Sequence, residues 1–283
     1  MAPQEIKTPS QLNIPSLLVN FPFTVSNRDP NNVYMGSDDN PYNMDRAFKQ
    51  FMGLYKELSR KALLYVLPSE LDLQDLPYVA NIGCYLPHIK DPTILISNFK
   101  SAPRVGEELI AWNFFRMMRY NVLKCPYWFE GEADLKYLKD NIYISCHGMR
   151  TSELAHQWMR DNFNMNVISM QLIDPKLYHL DCSLFVVSPT QVVATTSVLN
   201  KEDLIELEKH AEVISVPDKF IYNSWTNCVK IGNKVYHGSD NSNREIERFY
   251  GALDLELVSV ELDEFDKSGA DLSCLVMHLN YFK

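Results

Sequence analysis

Five amphipathic segments, each set between short runs of strand-forming residues, constrain this chain more than any other feature. Helix-like patterns begin near residues 43, 106, 151, 201 and 242. The clearest is NMDRAFKQFMGLYKELSRKA, where Ala47, Phe51, Leu54, Tyr55 and Leu58 recur at helical spacing, Asn43 can cap the start and Asp45 suits the first turn. GEELIAWNFFRMMRY, TSELAHQWMRDNF (opened by Thr151 or Ser152), KEDLIELEKHA (capped by Asn200) and NREIERFYGAL are the others. Strands are expected at LLYVL, YVANIGCYL, TILISNF, NIYISCH, NVISMQLI, SLFVVSPTQVVATTS, ELVSVEL and DLSCLVMHL, with a hairpin in CVKIGNKVYHG turning at Gly232-Asn233. A helix every roughly 40–60 residues points to modules arranged around an axis rather than one doubly wound sheet. No sequence repeat accompanies the rhythm, and a plain α/β sandwich is the alternative.

The 283 residues suffice for one large domain or two small ones. Residues 1–18, rich in Pro, Gln, Ser and Thr, read as a loose N-terminal segment, which leaves 19–283 as a single domain. A net charge of -9 argues against a nucleic-acid partner and is compatible with a small cationic ligand. The six cysteines form neither a CxxC pair nor a zinc-spaced Cys/His cluster, so neither metal nor cofactor is expected and reduced thiols are favoured over disulfides. With no leader-like start and no apolar run long enough for a bilayer, the expectation is a soluble, cytoplasmic protein without a membrane partner.

Within the expected strand YHLDCSLFVV, His179 and Asp181 are two residues apart, which in a strand puts both on one face, with Leu180 and Cys182 on the other. A surface pair near a strand end is the simple reading; an acid/base pair is the functional one. Cys274, in KSGADLSCLVMHL, is either a small hydrophobe in a strand or a nucleophile, which needs a base and a site that favours the thiolate. FEGEAD brings Glu130, Glu132 and Asp134 together after an aromatic run. Such acids line a solvated turn or, in a closed pocket, grip a planar cation through paired hydrogen bonds. His147 and His237 are expected to make loop contacts, and the four tryptophans to sit in core or pocket wall.

In this order, FEG…D, YHLD and a terminal G…C segment resemble the guanidine-modifying (pentein) superfamily, which includes arginine deiminases, dimethylarginine hydrolases and amidinotransferases. The resemblance covers nearly the whole chain from about residue 20 and is nearest to the arginine dihydrolases. It is carried by NNVYM, RAFKQFMGLYKEL, ANIG, APRVGEE, FEGEAD, GMRTSEL, LIDPKLYHLD, YNSWTN and KSGADLSC. It implies a five-fold pseudosymmetric α/β propeller with a central active site. Cys274 would be the nucleophile and His179 the general acid/base, with Glu130 and Asp181 holding the guanidinium. Arg104 and Arg150 would bind the substrate carboxylate, and Asn32, Asn81, Asp134 and Asn227 would be further substrate contacts. Asn81 stands where deiminases carry an aspartate, which favours dihydrolase chemistry. Ala270 and Asp271 depart from the usual glycine-rich approach to the nucleophile; Asp271 is expected to raise the Cys274 pKa, and Glu132 to add charge to the site. The activity implied is hydrolysis of arginine or a close analogue. An amidinotransferase or a non-catalytic guanidino-binding protein are the alternatives, and a homo-oligomer is compatible with all three.

Overall fold

A computed structural model describes residues 7–36, 41–238 and 243–281. In chain order the elements are β1 (Ser16–Val19), α1 (Met44–Ser59), β2 (Leu63–Val66), β3 (Gly83–Tyr85), β4 (Thr93–Ile96), α2 (Glu107–Met117), β5 (Asn121–Lys124), α3 (Gly131–Asp134), β6 (Leu135–Lys139), β7 (Ile142–His147), α4 (Glu153–Phe163) and β8 (Asn166–Gln171). Then come β9 (Leu184–Ser188), β10 (Gln191–Ala194), α5 (Lys201–Glu208), β11 (Glu212–Ser215), β12 (Cys228–Ile231), β13 (Lys234–Gly238), α6 (Asn243–Gly251), β14 (Glu256–Val260) and β15 (Met277–His278).

Among the described residues the strands form five three-stranded sheets: β15-β1-β2, β3-β4-β5, β6-β7-β8, β9-β10-β11 and β12-β13-β14. Each has the same wiring. The middle strand pairs antiparallel with one neighbour and parallel with the other, and the parallel step crosses over through a helix: α1, α2, α4, α5 or α6. A parallel pair requires such a crossover, which is why each long helix falls between a middle and an outer strand. The module therefore repeats five times, in keeping with the five-helix rhythm. The first sheet is completed by the chain's other end, with Leu17 opposite His278 and Leu18 opposite Met277.

Each crossover helix buries one face. In α1, Ala47, Phe51, Leu54 and Leu58 are fully buried and pack with Leu17, Val19, Val260 and Leu262 of the first and last modules. The phenylalanine and leucine side chains contribute about 1.5–3 kcal/mol each on full burial. The caps lie where the sequence puts them: the side chains of Asn43, Ser152 and Asn200 accept from the N–H groups of Arg46, Leu154 and Glu202.

Three expectations are corrected. The lead-in expected to be loose over 1–18 contains β1, the central strand of its sheet, and Thr8 and Pro9 before it are buried; residues 1–6 lie outside those described. YHLDCSLFVV is a strand only from Leu184 onward; Leu180–Cys182 form a 3-10 turn with His179 at its N-cap. Likewise Cys274 sits in the 3-10 turn Leu272–Leu275, and the last strand is confined to Met277–His278. In both cases apolar side chains continue through a buried turn, and burial alone does not distinguish a turn from a strand.

Candidate active site

The turns missed by the sequence reading build the site. In four sheets, the strand pairing antiparallel with the middle strand is preceded by one short helical turn: Val79–Asn81 before β3, α3 before β6, Leu180–Cys182 before β9 and Leu272–Leu275 before β15. The fifth, β12, follows directly on Asn227. Asn81, Glu130, Asp134, His179, Asp181, Asn227 and Cys274 all lie on or beside these segments. The turns pack on one another. At Gly131 (φ +60°) a Cβ would lie 2.5 Å from the Ala80 carbonyl oxygen and 2.7 Å from the Gly83 nitrogen, so α3 can approach the neighbouring turn only with glycine there. That is the local reason for the EG pair in FEGEAD.

His179 is the hub. Its Nδ1 lies 2.7 Å from Asp134 Oδ1, and its Nε2 is 3.1 Å from Asn81 Nδ2 and 3.4 Å from Glu130 Oε2. A carboxylate only accepts, so Nδ1 carries a proton and Nε2 is left to exchange one. Asp134 also accepts from Thr151 Oγ1 at 2.6 Å and from the Leu180 N–H at 3.3 Å. Burial pushes the Asp134 carboxyl up, but the His179 charge and the hydrogen bonds from His179, Thr151 and Cys146 outweigh it and hold it below the ordinary carboxylate range.

Cys274 is 5% exposed. Its Sγ is 3.7 Å from Asp181 Oδ2 and 3.5 Å from Asn227 Nδ2. The same Asp181 oxygen accepts from Ser273 Oγ at 2.5 Å, and Asn227 Oδ1 accepts from the Ser273 N–H at 2.8 Å. Burial first, then the Asp181 carboxylate, pushes the thiol well above its ordinary value. The charge of Asp271, expected to raise the thiol, acts in that direction as the smallest of the causes. Its carboxylate caps the turn by accepting from the Leu272 N–H at 2.7 Å, and its backbone bond to Cys274 acts in the opposite direction.

Cys274 and His179 line one pocket with Asn32, Asn81, Arg104, Arg150, Tyr178 and Asp75. Arg104 is buried and paired with Glu107 at 2.7 Å, with further bonds to the carbonyls of Asp75 and Tyr78. Arg150 lies over the Tyr178 ring, donates to the Asn31 carbonyl at 2.6 Å and contacts Glu130 at 3.3 Å. Asn32 donates to Tyr178 Oη and the Ser268 carbonyl. Asp181 and Glu130 stand fully buried behind this lining. Asp134 backs His179, and neither it nor Asn227 is part of this pocket's wall. Glu132 points away as well: it accepts from Nδ1 and the backbone N–H of His278, so it ties β15 to α3 and adds no charge to the pocket. Trp225 is in the core as expected, but Trp128 is 52% exposed.

The sequence reading missed Asp75, Tyr178, Thr151 and Ser273. Asp75 could have been noticed as a lone carboxylate in LQDLPYVA. The other three flank residues already singled out. Among the described residues there is no grouping of three or more His, Cys, Asp or Glu able to hold a metal ion, and no helix long and apolar enough to cross a membrane.

No family model matches the chain. Among curated proteins it is 24% identical over 256 residues, 88% of its length, to the bifunctional arginine dihydrolase/ornithine cyclodeaminase AgrE of Nostoc sp.. It is 25% identical over 211 residues to the N(G),N(G)-dimethylarginine dimethylaminohydrolase of Mycobacterium tuberculosis, covering 74% of this chain and 67% of that protein. The chain spans about a third of the length of AgrE, 35%. In solved structures, the N-terminal domain of the cyanobacterial arginine dihydrolase ArgZ bound to substrate superposes with a TM-score of 0.86 at 20% identity, covering 94% of this chain and 98% of that one. A dimethylarginine dimethylaminohydrolase adduct with S-methyl-L-thiocitrulline gives 0.77 at 15% identity, covering 94% and 99%. The chain is thus similar in sequence to an arginine dihydrolase and to a dimethylarginine dimethylaminohydrolase, and it shares the fold of their solved structures.

Proposed function

We propose that this protein is a cysteine-dependent hydrolase of the guanidino group of arginine or a close analogue, acting through a covalent amidino-cysteine. One observation carries the reading: Cys274 and His179 line the same pocket, each backed by a buried carboxylate. The five sheets together, including the one built on β1, are the catalytic unit, and it works in the cytoplasm on a small amino acid.

A guanidinium is stabilised by resonance and is a poor electrophile. Glu130 and Asp181 fix its plane and localise its charge beside the sulfur, so that a bimolecular step becomes a positioned one. Glu130 already contacts a guanidinium, that of Arg150. When the substrate guanidinium takes that carboxylate, Arg150 turns, with Arg104, to the substrate carboxylate, and Asp75 receives the α-ammonium. The incoming cation also offsets the Asp181 charge that disfavours the Cys274 thiolate.

The Cys274 thiol proton passes to His179 Nε2 as the sulfur attacks the central carbon and forms the S–C bond. His179 gives its Nε2 proton to one nitrogen, the C–N bond breaks and ammonia leaves. His179 then takes a proton from water, the resulting hydroxide adds to the carbon, and the S–C bond breaks to give a ureido product and the thiol. Asn81, uncharged and bonded to the base, favours a second round on the ureido group, giving ornithine, carbon dioxide and a second ammonia. The solved relatives lend support: ArgZ has been crystallised bound to substrate and, in an asparagine-to-serine variant, covalently bound to a reaction intermediate.

The test is incubation with L-arginine, with amino-acid analysis and ammonia release as the readout. Ornithine or citrulline with stoichiometric ammonia is expected, and Cys274→Ala should bind arginine without turnover. A requirement for an added amine, without ammonia, would identify an amidinotransferase. Binding without any product from the wild-type chain would leave only a guanidino-binding protein.

A further inference from the structure

A second pocket lies against the first. Tyr34, Leu177, Cys182, Ile221, Asn227 and Ala270 contribute to its wall. Ala270 lines both pockets. Two further contacts bring the second pocket within one layer of side chains of the nucleophile. Asn227, in its wall, has its amide nitrogen 3.5 Å from Cys274 Sγ. Cys182, also in its wall, lies 3.7 Å from one oxygen of Asp181, whose other oxygen is 3.7 Å from Cys274 Sγ.

The chemistry proposed above poses a problem of traffic. Between the two half-reactions ammonia must leave and water must enter. Throughout that exchange the rest of the substrate stays covalently attached through the amidino carbon, and its amino-acid head fills the pocket bounded by Arg104, Arg150 and Asp75. The way in is therefore blocked by the molecule being processed. Opening Arg150 and Asn31 would release it only by disordering the groups that hold it.

We propose that the second pocket is a rear passage through which ammonia leaves and the hydrolytic water enters, with Ala270 and Asn227 as its inner gate. Both species are small enough to pass beside a methyl group and an amide. Asp263, Asp266 and Asp271 also line this pocket, so ammonia that picks up a proton meets carboxylates on its way out. A methyl group at 270 keeps the gate narrow enough to retain the amidino carbon and wide enough for a water molecule. The proposal rests on the hydrolase reading.

The test narrows the passage from two sides. Ala270→Leu thickens the gate, and Ile221→Trp fills the pocket from a residue outside the proposed catalytic machinery. Each variant is mixed with L-arginine, acid-quenched over time and weighed intact by mass spectrometry, alongside steady-state kinetics. Water starved at the second step should let the covalent adduct accumulate, with kcat lowered about tenfold and KM not raised. Wild-type turnover with no added adduct in both variants overturns the passage. So does a fall in kcat with raised KM and no adduct, the sign of a distorted front pocket. If Ala270→Leu does not fold, Ile221→Trp decides alone. Failure of the hydrolase reading looks different: the wild-type chain itself then forms neither adduct nor product.

Discussion

Asp134 and His179, far apart in the chain, meet through an Oδ1–Nδ1 contact of 2.7 Å with the carboxylate fully buried. The contact fixes which imidazole nitrogen is free to work, since only Nε2 faces Asn81 and Glu130.

Asp134→Asn keeps the size of the side chain but lets its amide donate to Nδ1, which selects the other tautomer. The expected result is a fall in kcat of about 10²–10⁴-fold on arginine with KM little changed. A variant with near-normal kcat would remove Asp134 from the machinery.

Thr151 ties the two acids around His179 together: its hydroxyl donates to Asp134 Oδ2 at 2.6 Å and accepts from the Glu130 N–H at 3.2 Å. Thr151→Val preserves shape and removes both bonds. With a charged partner lost, kcat should drop about 10–100-fold and the acid limb of the kcat/KM pH profile should move, while Thr151→Ser restores both. A valine variant with an unchanged pH profile would reduce Thr151 to a packing residue.

Cys274 in the free protein is held as a thiol by burial and by Asp181. Alkylation at neutral pH should therefore depend on the charge of the reagent. Chloroacetamidine, a cation, should modify Cys274 much faster than the isosteric neutral chloroacetamide, and Asp181→Asn should narrow the gap. Equal rates for the two reagents in the wild-type chain would contradict this account of the site.

His156 offers a test of stability against pH. Burial, helped by the His147 and Arg160 charges, pulls its imidazole down to about 4 from 6.5. Its nitrogens face Ser169 Oγ and the Cys146 carbonyl, and it is fully buried. A depressed pKa means that the unfolded chain binds a proton the folded one refuses. The stability is present above about pH 6.5 and is lost as pH falls towards 4, about 3 kcal/mol in all. In urea titrations at pH 7.5 and 5, His156→Gln should lose less stability on acidification than the wild type. Identical slopes would show that another group carries the acid limb.

The helices and their caps were legible because they depend on local spacing: Ala47, Phe51, Leu54 and Leu58 turn to one side whatever the rest of the chain does. Asn43 and Asn200 cap for equally local reasons. The five-fold rhythm followed, and with it the module. His179, Asp181, Glu130 and Cys274 could be named from motifs, since residue type and order survive without coordinates. Their local structure could not be read. His179–Cys182 and Leu272–Leu275 resemble strands in sequence because a buried turn and a buried strand present the same apolar residues.

What only the tertiary structure decided is which side chain faces which. Asp134 rather than the pocket holds Nδ1, Glu132 belongs to His278, and Asp75 joins the pocket with no motif to announce it. Each of these contacts joins different modules, whose separation in sequence bears no relation to their distance in space. The sequence determined the repeat and its chemical cast. The packing of each sheet on its neighbours, which brings the segments leading into β3, β6, β9, β12 and β15 to one place, decided which atoms of that cast touch.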